Sequence, residues 1–267
     1  MFKLISLLGF AVVIAISGYE LWAIDRQYGM EAEVRNEMAV YKPAPAEPSF
    51  AADDAAVSEA ALPAAPDPSC SGSAASACFS IAAARQAVNK DIVGWLTVRD
   101  TEIDYPIVQG SDNDYYLRHD IYRNTAPAGS IFLDSGRRPD FTDRYAIIYG
   151  HSMKNKSMFG SLSYFTEPMY FNSHAAGTLY LGDRTCGLQI FACLVVRADD
   201  PVIYGTIASD EGQDGFLAYV RANARQFRDI PLSHTDRILG LSTCAYEFTD
   251  ARLVVLARIQ DYRYIKN

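Results

Sequence analysis

The sequence predicts a mainly-β domain of about eight strands, a barrel or sandwich, carried behind an N-terminal membrane-spanning helix and a stalk. Three observations predict it. Short runs rich in β-branched, aromatic and aliphatic residues recur from residue 95 to residue 259, divided by Gly, Pro, Asp and Asn clusters. An almost uninterrupted apolar run fills residues 4–24. Between these regions, the chain from Tyr41 to about Ala77 is dominated by Ala, Pro and Ser, and it holds too little apolar surface to offset chain entropy.

The first run, LISLLGFAVVIAISGYELWAI, carries one charge, Glu20, near its far end. At ~1.5 Å per helical residue it reaches about 30 Å, enough to cross the hydrocarbon core. A removable signal peptide is the competing reading, but the stretch is longer than a usual h-region and no clean A-x-A site follows, which favours an anchor. Lys3 and the terminal amine precede the span, while Arg26 beyond it is partly offset by Asp25 and Glu31. The expectation is a single-pass protein of the cell membrane. Residues 1–3 are cytoplasmic, 4–24 span, 25–78 form the stalk, and 79–267 form a folded extracellular domain.

At 267 residues, 49% hydrophobic and 12% aromatic, the chain has ample material for a core. Its net charge of −8 argues against nucleic acid, whose binders gain affinity by neutralising phosphates with Lys and Arg. Five cysteines cannot all pair internally, so at least one is free or joined to another molecule. Cys70 and Cys78 lie in the stalk or at its end, where a disulfide or no function is expected. Cys186 and Cys193 are seven apart on one apolar stretch, which places them on opposite faces of a strand, buried and unpaired.

Ser80 fits the N-cap of a short helix, IAAARQAVN, with Ile81, Ala84 and Val88 on one stripe. The strands expected after it are Trp95–Val98, Ile103–Val108, Ser130–Leu133, Tyr145–Tyr149, Thr178–Leu181, Leu188–Val196, Arg237–Thr243 and Leu253–Ile259. Phe216, Val220, Ala224 and Phe227 recur at helical spacing and predict a helix over 216–227.

In the strand RILGLSTC, alternation puts Ile238, Gly240, Ser242 and Cys244 on one face and Leu239, Leu241 and Thr243 on the other. The thiol emerges at the strand's end. A seven-residue connection, AYEFTDA, leads to Arg252 at the head of LVVLARI. A hairpin that sets Cys244 opposite Arg252 puts their Cβ atoms about 5 Å apart on one face. A neighbouring guanidinium favours the thiolate, the reactive form of cysteine, and donates to an oxyanion formed in acyl transfer. Of the four histidines, His151 follows the apolar strand YAIIYG directly, whereas His119, His174 and His234 sit among polar, turn-like neighbours and read as surface residues. Taken alone, Cys244 reads as an inert buried thiol and His151 as structural; their neighbourhoods change the balance.

These residues resemble the sortases of Gram-positive bacteria, class B in particular. DIVGWLTV, IDYPIVQGSDNDYYL, AGSIFLD, IIYGHSMKNKSMFGSL, LSTCAYEF and ARLVVLARI stand in the family's order from about Phe79 to Ile259. YGHSM followed by MFGSL is the most specific of them, and LSTC with an Arg eight residues later supports it independently. The resemblance implies a closed eight-stranded barrel with a few helices in its long loops. It also implies a cysteine transpeptidase of the thiol-peptidase type. Cys244 attacks the Thr carbonyl of a C-terminal sorting signal on an exported protein, and an amine of peptidoglycan or a lipid-linked wall precursor takes the acyl group. By the same resemblance His151 moves the protons, Arg252 binds the carbonyl oxygen, and Asn113, Leu117, Ile203, Tyr204 and Ser242 line the signal groove. Gly240 departs from the family's usual Thr. Tyr246 stands where some class B members have an acid, and Glu247 is the nearest carboxylate, so no triad is assigned. No cofactor or metal is expected. The alternatives are a hydrolytic cysteine protease using the same residues, a non-catalytic barrel that binds wall polymers or peptides, and, last, an L,D-transpeptidase, whose S-x-G-C arrangement is lacking.

Overall fold

The computed structural model describes residues 14, 17–19, 22, 26, 29–42, 81–182, 184–245 and 247–261. The span expected over 4–24 lies almost wholly outside these residues, as do residues 43–78 of the stalk with Cys70 and Cys78, and Ser80 and Tyr246. No helix among the described residues is long and apolar enough to cross a membrane.

Among the described residues nine strands are formed: β1 Ile92–Val98, β2 Asp104–Val108, β3 Ile131–Leu133, β4 Tyr145–Tyr149, β5 Ala176–Tyr180, β6 Thr185–Arg197, β7 Gln226–Phe227, β8 Arg237–Cys244 and β9 Ala251–Asp261. In the order β5-β1-β2-β3-β4-β8-β9-β6, eight of them close into a barrel, because β6 pairs back onto β5. Closure removes the free edges of the sheet. The two-residue β7 is an addition on β6. The pairs β2–β3 and β4–β8 are parallel and the rest antiparallel. The expected strands are therefore present.

The interior is filled from alternate positions of every wall, with Leu96, Ile107, Ile131, Ile148, Leu239, Leu241 and Val255 in one buried cluster. Two further clusters lie on the outside. The helix Asp210–Asn223 lays Phe216 and Val220 against Tyr145, Ile147, Ile238 and Val254. On another face, the helix Ile81–Ala87 and Met38 cover Trp95, Tyr116 and Phe132. Met38 belongs to a helical stretch, residues 29–38, that continues into the 3-10 turn Ala39–Tyr41, so the first part of the segment assigned to the stalk is packed on the barrel.

Two sequence expectations need correction. The helix expected over 216–227 runs from Asp210 to Asn223, where Ser209 Oγ accepts from Gly212 N at 3.1 Å and Asp210 and Glu211 favour the positive end of the helix. It stops because Arg225 N bonds Cys193 O at 2.8 Å and Phe227 pairs with Ala192, which leaves Ala224 as the extended C-cap and puts Phe227 in a strand. Cys186 and Cys193, expected on opposite faces, both point into the barrel, because a bulge between Ile190 and Ala192 adds one residue to β6 and reverses the alternation beyond it. They are both free thiols.

Gly240 is explained by its neighbour. A Cβ at this position would stand 2.7 Å from the hydroxyl of Tyr145, whose ring fills the outer face at that level.

Candidate active site

β8 carries Cys244 to one end of the barrel, and β9, antiparallel to it, sets Arg252 opposite Cys244. On the other side of β8, β4 runs parallel with Tyr149 beside Ser242. Gly150 N donates to Ser242 O at 3.1 Å and Thr243 Oγ1 donates to Gly150 O at 2.7 Å, so the ladder continues past the end of β4. By this register His151, two residues beyond β4, arrives at the level of Cys244 and Arg252 at one rim of the barrel.

The loop that begins at His151 is closed on itself by Phe159 N donating to His151 O at 3.0 Å and by a bridge between Ser152 and Met158. The imidazole is oriented from the opposite side, where Nε2 lies 2.8 Å from the carbonyl of Leu117. With Nε2–H donating to that carbonyl, Nδ1 is left to carry a proton in exchange. Leu117, expected in the groove, thus enters the site through its backbone. Cys244 is half-buried, and its sulfur makes no hydrogen bond among the described residues. Arg252 donates to Ala251 O at 3.0 Å and forms no ion pair among the described residues, which leaves a guanidinium beside the thiol with its charge uncompensated.

Tyr204 lies over this rim from the long connection between β6 and the helix Asp210–Asn223. Its hydroxyl is 3.0 Å from Ser242 Oγ and its ring stacks on Tyr149 at 6.4 Å. Burial pushes its phenol up to about 12; the Ser242 bond and the positive Arg252 act against that, while Asp200 and Cys244 reinforce it. Ser242 and Tyr204 thus face one another at this rim. Ile203, expected in the groove, does not join them: its side chain is wholly buried in the outer apolar cluster, because Asp200 Oδ1 caps the turn at the backbone N–H groups of Val202 and Ile203, and it anchors the loop. Asn113 is held by protein groups, donating to Asp134 Oδ2 at 2.9 Å and accepting from Ser135 N at 2.8 Å.

The remaining histidines are local. His119 stacks on Tyr115 at 4.0 Å, His174 stacks on Tyr170 at 3.7 Å, and His234 lies 3.8 Å from Asp210. Glu247 lies 3.8 Å from Arg225. No group of three or more metal-binding side chains occurs among the described residues. A cavity of about 380 Å³ lies elsewhere, between helical residues 30–38 and the segment 120–131, and none of Cys244, His151 and Arg252 lines it. Sequence reading missed Asp134, which accepts from Asn113 and Tyr149, and Arg137, which donates to Gly205 O and Thr206 Oγ1; the signal for Asp134 is its place at the end of the AGSIFLD stretch, and Arg137 lies three residues beyond it.

The Sortase domain family model matches residues 96–260. The chain is 37% identical over 176 residues to Sortase B of Listeria monocytogenes, spanning 65% of this chain and 72% of that protein. It is 32% identical over 177 residues to Sortase B of Staphylococcus aureus, spanning 64% and 71%. Among solved structures, Clostridium perfringens sortase B superposes with a TM-score of 0.64 at 34% identity over 68% of this chain and 100% of the other. A Staphylococcus aureus sortase B–substrate complex superposes with a TM-score of 0.63 at 28% identity over 68% and 84%.

Proposed function

This chain belongs to the sortase family, class B, and from that premise we propose that it is a membrane-anchored cysteine transpeptidase that joins exported proteins to the cell wall. The observation that carries the proposal is the pairing of Cys244 with Arg252 at a rim that His151 reaches from the neighbouring strand.

In the first step the Cys244 thiolate adds to the Thr carbonyl of a C-terminal sorting signal, forming a C–S bond, and the carbonyl oxygen takes the negative charge. Arg252 donates to that oxygen, where charge develops only as the reaction proceeds. The C–N bond then breaks, and the departing amine takes a proton from His151. In the second step an amine of peptidoglycan or a lipid-linked wall precursor gives a proton to His151 and attacks the thioester. The new amide forms and the thiolate leaves. Tyr204 and Ser242 would contact the signal beside the scissile bond. Residues 4–24 would anchor the chain, with the catalytic domain on the extracellular side.

The test is mass spectrometry of the full chain incubated with a panel of Thr-containing signal peptides, with and without an amine acceptor, beside Cys244→Ala. The full chain is used because residues 29–41 pack on the barrel. Cys244-dependent cleavage after Thr with amine-linked product is the expected result. Cleavage without transfer would make the protein a hydrolase, and peptide binding without cleavage would make it a binding barrel.

A further inference from the structure

Asn113, which the resemblance assigns to the signal groove, and Tyr149, on whose ring Tyr204 stacks, both run to one carboxylate. Asp134 follows β3 directly, its N–H donates to Ile147 O at 3.0 Å, and its side chain is 17% exposed. Its Oδ2 accepts from Asn113 Nδ2 at 2.9 Å, on one side, and from the Tyr149 hydroxyl at 3.0 Å, on the other. Its Oδ1 accepts from Gly136 N at 2.9 Å, which fixes the carboxylate plane. Gln109 Nε2 donates to the carbonyls of Asp134 and Arg137, at 2.9 and 2.6 Å, so the Asn113 side is tied down at a second point.

The opposite side is held through Arg137. This guanidinium is 7% exposed and lies 4.0 Å from Asp134 Oδ1. It donates to Gly205 O at 2.6 Å and to Thr206 Oγ1 at 3.2 Å, the two residues after Tyr204. Tyr204 is therefore located from three directions: by Arg137 through its own loop, by the Tyr149 ring, and by Ser242. Burial, then the Asp134 charge and hydrogen bond, push the Tyr149 phenol well above its ordinary range, so it stays a proton donor to that carboxylate.

We propose that Asp134, acting with Arg137, is a positioning residue that sets the spacing between the Asn113 and Tyr204 walls of the groove and thereby the selectivity for the sorting signal. The inference rests on the transpeptidase reading only in taking this groove as the signal site. A carboxylate accepting two neutral donors with one oxygen is a stiff link, because charge-assisted bonds are shorter and stronger than neutral ones. Neither Asp134 nor Arg137 borders Cys244 in the strand ladder, so their loss leaves the thiol's own neighbours in place.

The experiment measures binding and turnover separately. In the full chain carrying Cys244→Ala, the affinity of a fluorescein-labelled copy of the panel peptide that binds most tightly is compared with that of a copy altered two residues before the Thr. Asp134→Ala, added to this background, is expected to weaken the first about 10-fold and to reduce the discrimination between them several-fold. Asp134→Asn, which keeps an acceptor oxygen, recovers part of both. In the Cys244-containing chain, Asp134→Ala raises KM by a similar factor, while the rate of Cys244 alkylation by iodoacetamide changes less than about 2-fold. Tyr149→Phe removes one donor without emptying the site; it weakens binding about 3-fold, and it adds nothing further in the presence of Asp134→Ala. Unchanged affinity and discrimination in Asp134→Ala, or a parallel fall of kcat, alkylation rate and thermal midpoint, would overturn the proposal. An inactive wild-type chain that still binds peptide through Asp134 would overturn the transpeptidase reading and keep this one.

Discussion

Cys186 at the start of β6 and Cys244 at the end of β8 each face β9, the first across from Asp261 and the second across from Arg252. The two partners are nine residues apart on one strand, which puts them about 30 Å apart at opposite ends of the barrel. Arginines stand near both thiols, yet the outcomes differ. Around Cys186, Arg237 and Arg184 lie 2.5 and 3.7 Å from Asp261, and the thiol donates to the same carboxylate at 3.2 Å. Burial first, and then the Asp261 hydrogen bond and charge, push that thiol up to about 11. Cys193, deeper in the interior, is pushed up to about 12, mainly by burial. At the other rim Arg252 forms no ion pair among the described residues, Cys244 is half-buried, and His151 follows the adjoining strand by two residues. A thiol beside an arginine thus becomes a candidate nucleophile only where the cation is uncompensated and the strand end opens outward.

The sharpest way to break this comparison is to delete each thiol in turn. Cys244→Ala should abolish signal cleavage, whereas Cys186→Ala should leave cleavage intact and lower stability by about 1 kcal/mol, read from the urea midpoint. The arginines come next. Arg252→Ala should lower kcat/KM by about 10²–10³-fold, the scale of losing one donor to a developing oxyanion. Arg237→Ala, at the other end, should leave turnover unchanged and shift stability by no more than about 1 kcal/mol, because Asp261 is more than half exposed.

Labelling sharpens the contrast further. Of Cys186, Cys193 and Cys244, iodoacetamide at neutral pH should modify Cys244 alone, with the other two reacting only when denaturant opens the barrel; peptide mapping reads the result. The smallest effect is on alkaline stability. The Cys186 and Cys193 pKa values are raised in the folded state, so the folded chain holds their protons when the unfolded chain has released them. Their contribution is complete below the ordinary thiol value of 9.0 and is lost as pH rises through about 11 and about 12. Urea midpoints should fall across that window, and Cys193→Ala should flatten the fall.

The site was partly legible before the fold was seen. Alternation along RILGLSTC and the short connection to Arg252 are local features, and β8 and β9 pair as a hairpin with that register. The position of His151 relative to Cys244 was not legible from spacing, since it depends on a parallel ladder between segments 93 residues apart, sealed by Thr243 donating to Gly150. Ile203 was misplaced for a related reason. Its neighbours in sequence describe a loop, while its burial depends on the helix Asp210–Asn223 folding over the barrel's outer face. Asp134 carried no signal of its own, because a carboxylate in a turn looks solvated until Asn113 and Tyr149 converge on it.

By itself, then, the sequence determined the strand segments, the face on which the thiol emerges and the arginine across from it. These follow from side-chain periodicity within a few residues. Tertiary structure alone decided closure of the barrel through β5 and β6, the bulge that turned Cys193 inward, the packing of residues 29–41, and the convergence of Asn113 and Tyr149 on Asp134. Those depend on contacts between distant segments, whose cost in chain entropy is offset only when the whole apolar interior is buried at once.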